Sequence, residues 1–259
     1  MRHWHETIAI ARRILVELVR HRQSLILWSI FPISILILIG LILAEGTKIS
    51  TTEAFRVSAP ASLVGAALFF SCLGGTISTI VAERESSTLK RLFISPLSGI
   101  SYFLGIFIAY GCIGLGQTLL VYTVAAFFDV QFSGSLILGA GIILLSIGSY
   151  VGMGFLLGTQ VARQIEDVNG LVAGFGVPLL ILGGAFFPIA FLPPPLLLIT
   201  QFNPIYHMNQ ALLDVSANSK DLSDPDLILH FRFLVGFFVA SIASGWLAYR
   251  RMLGQERRL

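Results

Sequence analysis

Long apolar runs without a charged residue alternate with short polar segments along this chain of 259 residues. The runs cover residues 23–44, 57–82, 92–128, 130–162 and 168–213. About 20 apolar residues form a helix of roughly 30 Å, which is the thickness of the hydrocarbon core of a bilayer. The pattern predicts an all-α integral membrane protein with six spans, at about 24–44, 59–82, 101–127, 135–158, 168–191 and 229–249.

The run 168–213 is long enough to hold two spans, and its second half decides between one and two. Residues 192–213 contain four prolines and several Asn, Gln and His side chains, which are costly to expose to lipid. A seventh span would also move the arginine-rich residues 250–258 to the opposite side of the membrane. We therefore predict one span followed by short re-entrant or interfacial helices.

Composition supports a membrane protein and excludes other classes. The chain is 55% hydrophobic and only 12% charged, with a mean hydropathy of +0.84, whereas a soluble domain carries about a quarter charged residues. A pI near 9.1 does not indicate a nucleic-acid partner, because the basic residues cluster beside the predicted spans. Cys72 and Cys112 lie inside apolar runs, and we predict that both are buried packing residues.

The distribution of basic residues predicts the orientation. Thirteen Lys and Arg side chains lie in residues 2–22, in the loop 83–99, at Arg163 and in residues 250–258, and four lie on the other side. Because loops rich in Lys and Arg remain in the cytoplasm, both termini are expected there, with the chain in the cytoplasmic (inner) membrane. Residues 2–22 are themselves amphipathic and predict a helix lying at the inner membrane surface, with Trp4, Ile8 and Ala11 on its apolar face. The alternative is a basic tail that only orients the first span.

Catalytic motifs are absent from the sequence. No GxxxxGK[ST] phosphate loop, HExxH zinc site or GxSxG nucleophile elbow occurs, so we predict no catalytic residue, metal site or cofactor in this chain. The predicted spans also lack the ionisable residues that ion-coupled transporters place at membrane depth. Any uphill transport therefore draws its energy from outside this chain.

Small residues recur at four-residue spacing in two spans. Gly148, Gly152, Gly154 and Gly158 lie in the fourth span, and Gly170 and Gly174 lie in the fifth. Such spacing allows helices to approach closely in lipid, so we predict helix packing for them; a substrate-facing role is the alternative.

The loop after the second span carries a short amphipathic helix. Leu89, Leu92 and Phe93 share one face, charged residues flank them, and Pro96 ends the helix. This helix is either an interfacial anchor or a docking element for a cytoplasmic partner.

At this loop the sequence resembles the ABC-2 type permeases, the membrane subunits of exporters in the daunorubicin-resistance and nodulation-factor groups. Their loop reads approximately E-x-E-x-G-T-L-x-x-L-x-x-S-P-L-S. The matching residues here are Glu83, Glu85, Thr88, Leu89, Leu92, Ser95, Pro96, Leu97 and Ser98. The sequence departs from this pattern at Ser87, where glycine is usual, and at Lys90, where an acidic residue is common.

A second match lies in residues 183–213, which we call the outer segment. It resembles the outer re-entrant segment of the same family through Gly183, Gly184, Phe186, Phe187, Pro188, Pro193, Asn203, Pro204 and Tyr206. The arginine that often closes the family's segment is absent, and Asp214 lies nearby instead.

The resemblance implies that residues 1–259 form a single transmembrane domain that pairs with a second copy or a homologous permease. It further implies docking on a separate ATPase subunit, which binds ATP and Mg, and an outer lid formed by the outer segment. The implied docking residues are Glu83, Arg84, Glu85, Thr88, Leu89, Leu92 and Phe93. The mainly apolar and hydroxyl-bearing spans predict an amphipathic or lipid-like cargo. The alternatives are a secondary transporter and a membrane assembly factor that transports nothing.

Overall fold

The computed structural model describes residues 2–20, 22–86, 88–89, 98–186 and 188–256, and every regular element among them is a helix. The α-helices are α1 (Arg2–Arg20), α2 (Arg22–Thr47), α3 (Thr51–Glu85), α4 (Gly99–Ala126), α5 (Leu136–Gln160), α6 (Ile165–Leu182), α7 (Pro194–Thr200), α8 (Pro204–Ser216) and α9 (Pro225–Glu256), with a 3₁₀ turn at Ile189–Phe191. Within these residues six helices, α2 to α6 and α9, are long and apolar enough to cross a membrane. The chain is a multi-pass membrane protein, and the prediction of six spans is confirmed.

The two largest differences from the predicted span boundaries are at the start of α3 and at the end of α6. Helix α3 begins at Thr51 instead of residue 59, because the Ser50 hydroxyl accepts a hydrogen bond from the Glu53 amide and caps the helix. Helix α6 ends at Leu182 and not at residue 191. Gly184 follows with a φ of +73°, a conformation that side chains other than glycine rarely adopt, so the chain turns there.

Helix α3 lies at the centre of the bundle and contacts α2, α4, α5 and α8. Its middle, Ser62–Gly74, is π-helical, so that the Gly75 amide donates to the carbonyl of Phe70. Tyrosine hydroxyls from neighbouring spans reach the α3 backbone: Tyr150 donates to Val64 at 3.0 Å and Tyr110 donates to Gly75 at 2.7 Å. These bonds give α3 polar attachment points inside an otherwise apolar core.

Helix α1 packs along α4 instead of lying free of the bundle. Ile10, Ala11 and Ile14 are buried, whereas Trp4 and Ile8 are exposed. The predicted apolar face is therefore divided, with one part packed on protein and the other uncovered. A Cβ added at Gly105 of α4 would lie 2.7 Å from Cβ of Ile10, so the glycine permits this close approach.

The two cysteines differ in their surroundings. Cys72 is fully buried in α3, and its thiol donates to the carbonyl of Tyr110. Cys112 of α4 is exposed, so the prediction of a buried packing role is wrong for this residue. Apolar neighbours in sequence do not distinguish a lipid-facing position from a buried one.

Candidate functional sites at the two ends of the bundle

One end of the bundle carries most of the arginines, and we call it the basic end. Glu83 joins three helices there. Its carboxylate lies at the end of α3 and is 6% exposed. It forms an ion pair with Arg13 of α1 and accepts a hydrogen bond from the Tyr102 hydroxyl of α4 at 2.6 Å. A buried carboxylate is tolerated only when it is paired and hydrogen-bonded, so these contacts attach α1 and α4 to α3.

The next two residues attach α3 to α5 and α6. The Arg84 guanidinium donates to the carbonyls of Thr159 and Ala162, where α5 ends. The Glu85 carboxylate accepts a hydrogen bond from the Ile165 amide, at the first residue of α6. The terminal carbonyls and amides of a helix lack partners within the helix, and a negative charge is stabilised near a helix N-terminus. Residues 83–85 therefore hold five helices at the basic end.

The predicted docking residues occupy three different environments. Glu83 and Leu89 are buried, Leu89 being only 1% exposed within the chain's own core, so neither side chain forms part of an exposed docking surface. Their assignment as docking residues stays a prediction, which the burial of both side chains does not favour. Arg84 and Thr88 are half-buried and Glu85 is exposed. Leu92 and Phe93 lie outside the described residues.

The outer segment lies at the opposite end and is held by amide side chains. Asn203 caps α8 by accepting from the Ile205 amide at 3.0 Å, and it donates to the carbonyl of Leu179 in α6 at 2.6 Å. Asn209 donates to the carbonyl of Gly184 at 3.2 Å. A Cβ at Gly183 would lie 2.6 Å from the Ile205 side chain. The glycine turn and the two asparagines thus bring the start of the segment against α8.

The remaining predicted residues of the outer segment are spread along it. Phe186 makes an edge contact with Phe31 of α2, with ring centroids 6.1 Å apart. Pro188, Pro193 and Pro204 stand at or next to the first residues of the 3₁₀ turn, α7 and α8. Phe187 lies outside the described residues.

A histidine pair links α8 to α9 beside Tyr206, whose ring contacts both imidazoles. Nδ1 of His207 lies 2.9 Å from Nδ1 of His230, and Nε2 of His207 lies 2.8 Å from the carbonyl of Gln201. Burial lowers the pKa of His207, while the Gln201 carbonyl opposes this shift. This pair was not predicted, because the spans were interpreted as free of ionisable residues, although His230 lies near the start of α9.

An acidic cluster surrounds Lys220 in the loop between α8 and α9. Its ammonium lies 3.3 Å from Asp214 and from Asp224. Partial burial disfavours the charged ammonium form, but the hydrogen bonds and negative charges of the two carboxylates favour it and raise the pKa of Lys220. This loop is therefore tied to the buried Asp214 of α8, the residue that stands near the position of the family's arginine.

The glycines of α5 face two neighbouring helices. Gly148 and Gly152 face α9, and a Cβ at Gly152 would lie 2.8 Å from the backbone carbon of Ser241. Gly154 and Gly158 face α3, with a Cβ at Gly154 2.7 Å from Thr76. By contrast, a Cβ added at Gly170 or Gly174 of α6 would have nothing within 4 Å among the described residues, so packing within this chain does not explain these two glycines.

Comparison with known proteins agrees with this architecture. Residues 5–216 match the ABC-2 type transporter family, and the chain belongs to this family of membrane permeases. It is similar to a probable multidrug ABC transporter permease, YbhR, from Escherichia coli K12 and from E. coli O157:H7, with 26% identity over 172 residues in each case. The match covers 66% of this chain and 45% of each relative, so the matched part is less than half the length of these relatives.

Proposed function

We propose that this chain is the transmembrane permease subunit of an ATP-binding cassette exporter, driven by a separate ATPase subunit that binds ATP and Mg. The observation that carries the proposal is the family match over residues 5–216 of a six-span bundle. Its relatives' description as multidrug permeases supports an amphipathic or lipid-like cargo. A charged group near the bilayer centre costs roughly 2.5–3.5 kcal/mol on insertion scales, so a strongly ionic cargo would gain little from these apolar spans.

We place the basic end and both termini in the cytoplasm. The basic asymmetry supports this orientation, and so does the position of α1, whose uncovered Trp4 and Ile8 suit a helix at the inner membrane surface. The outer segment then caps the outer end, with α8 inserted among the spans and α7 and the 3₁₀ turn lying above them as re-entrant elements.

Force from the ATPase reaches the spans through residues 83–85 in this proposal. The ATPase docks on the loop 85–98, with Leu92 and Phe93 as contact residues. Glu83, Arg84 and Glu85 join this loop to α1, α4, α5 and α6, so a displacement of the loop moves several helices together.

A second copy, or a homologous permease, covers faces that this chain leaves open. Most residues in the apolar stretches of α2 and α6 are not buried by the rest of the chain, although both helices belong to the bundle. Phe175 of α6 and Phe202 of the outer segment are 72% and 80% exposed. These faces lie next to the lid, so a pair would enclose a path beneath it.

Docking is tested by co-purifying the permease with its ATPase subunit. We expect Leu92→Asp to reduce recovery of the ATPase at least tenfold, because a carboxylate in an apolar contact is left without a partner. Ser133→Asp, at an exposed position at the opposite end, is the matched control. Equal recovery with both variants would remove the docking proposal, and ATP hydrolysis by the purified permease alone would contradict the separate ATPase.

Orientation is tested with one introduced cysteine at a time, in a background in which the exposed Cys112 is replaced by alanine and the buried Cys72 is kept. We expect Ser50→Cys and Ser133→Cys to react with a membrane-impermeant maleimide added to intact cells, because both positions are exposed at the outer end. Ser86→Cys, exposed at the basic end, should react only after the cells are opened. Labelling of Ser86→Cys in sealed cells would reverse the proposed orientation.

A further inference from the structure

A cavity of about 200 Å³ lies beneath the first part of the outer segment, inside one copy of the chain. Its walls come from α2, α3, α8, Gly184 and residues 188–190. Leu43, Val57 and Ile189 supply apolar surface, and none of the described residues that line it is charged. Ala190, which also lines it, is exposed, so the cavity reaches the surface beside the outer segment. This site is separate from the open faces of α2 and α6 that we assign to a second copy.

One side-chain oxygen among the residues that line this cavity lacks a hydrogen-bond partner. Asn209 is 5% exposed, and its Oδ1 has no hydrogen-bond partner among the described residues. The orientation of the amide follows from its surroundings: Nδ2 donates to the carbonyl of Gly184, and the reversed amide would place oxygen against that oxygen. A buried acceptor without a donor costs about 1–3 kcal/mol, so an incoming donor stabilises this site.

Ser58 provides a second acceptor in the same wall. Its hydroxyl donates to the carbonyl of Ala54 at 2.7 Å, within its own helix, and its oxygen lone pairs remain able to accept. Ser58 and Asn209 lie on α3 and α8, and both line the cavity. These two buried side chains therefore offer acceptors, whereas their own donors are already used within the protein. Gln210 of α8, which is half-buried, also lines the cavity and has an amide that can donate and accept.

We propose that this cavity binds an uncharged molecule made of one compact apolar group and a hydrogen-bond donor such as a hydroxyl. An apolar cavity of about 150 Å³ holds benzene, so this volume admits a single ring with a short substituent. The absence of charged residues from the described lining disfavours an ion. The proposal goes beyond the export function, because it holds whether the molecule is cargo, lipid fragment or regulator.

Photolabelling of the full-length permease in lipid nanodiscs tests the proposal. The probe is benzyl alcohol that carries a trifluoromethyl-diazirine on its ring, and labelled peptides are located by mass spectrometry. We expect labelling of α3 near Val57 and of residues 188–190. Benzyl alcohol should compete about fivefold better than benzyl methyl ether, which has no donor, at equal concentrations in the lipid phase, since one hydrogen bond contributes about that factor.

Two variants separate the apolar and polar parts of the site. Val57→Phe fills the cavity and should reduce labelling at least tenfold, whereas Leu41→Phe, at a 48% exposed position of α2 outside the cavity, should not. Asn209→Ala should bring the preference for alcohol over ether close to one, even if the looser outer segment changes overall labelling. Labelling that persists in Val57→Phe, or spreads evenly over the lipid-facing helices, would overturn the proposal. Equal competition by alcohol and ether in the wild type would likewise remove the assigned role of Asn209.

Discussion

Replacing Gly152 with leucine is expected to destabilise the bundle by roughly 3 kcal/mol, because the new side chain meets backbone that cannot move aside. A Cβ at this position would lie 2.8 Å from the carbonyl carbon of Ser241 and 3.0 Å from the amide of Ile242 in α9. Helices α5 and α9 form the most extensive helix pair of the described chain, so separating them affects a large contact. Thermal unfolding in detergent should show a Tm lowered by roughly 6–12 °C.

Gly141→Leu and Gly236→Leu are the matched controls, one on each of the two helices. Nothing lies within 4 Å of a Cβ at either position among the described residues. Both controls gain the same helix propensity as the test variant, so the difference in Tm isolates packing. If Gly152→Leu unfolds at the same temperature as Gly141→Leu, the close approach of α5 and α9 is wrong.

Replacing Glu83 with alanine is expected to cost about 3 kcal/mol, because it leaves Arg13 and the buried Tyr102 hydroxyl without the carboxylate that pairs with both. The measurement is the Tm of the purified permease. Glu53→Ala is the control. Oε2 of Glu53 lies 2.6 Å from the Arg56 guanidinium, but this pair is more exposed, and an exposed ion pair contributes at most about 1 kcal/mol.

A double variant distinguishes the ion pair from general loss of packing. Glu83→Gln alone leaves the Arg13 charge uncompensated, whereas Glu83→Gln combined with Arg13→Met removes both charges. We expect the double variant to recover part of the stability that Glu83→Gln loses. Strictly additive losses would show that the two side chains do not interact, and Glu83 would then not join α1 to α3.

The basic end illustrates how far the sequence predicted the candidate site. The loop motif predicted a functional segment at residues 83–93, and its first three charged residues, Glu83, Arg84 and Glu85, lie together at the end of the bundle. Their partners were not predictable, because Arg13 and Tyr102 are 70 and 19 residues away from Glu83 along the chain. The amphipathic spacing of Leu89 is compatible with an exposed docking face and with a buried contact, and only the structure shows that this side chain is buried.

The outer segment was likewise predictable from the sequence only in part. Its prolines, glycines and amide side chains predicted irregular backbone that needs internal polar partners, and Asn203 and Asn209 have such partners. The pattern did not indicate the turn at Gly184 or the pairing of His207 with His230, since both depend on where α8 lies against α6 and α9.

The sequence by itself determined the number of spans and the basic asymmetry between their two ends. The physical reason is that hydrocarbon excludes unpaired backbone and charge, so each crossing requires about 20 apolar residues in a helix, whatever surrounds it. Only the tertiary structure decided that α3 is the central helix while α2 and α6 are open, and that Cys72 is buried while Cys112 is exposed. Lipid chains and a protein interior are equally apolar, so hydrophobic side chains do not record which of the two they face.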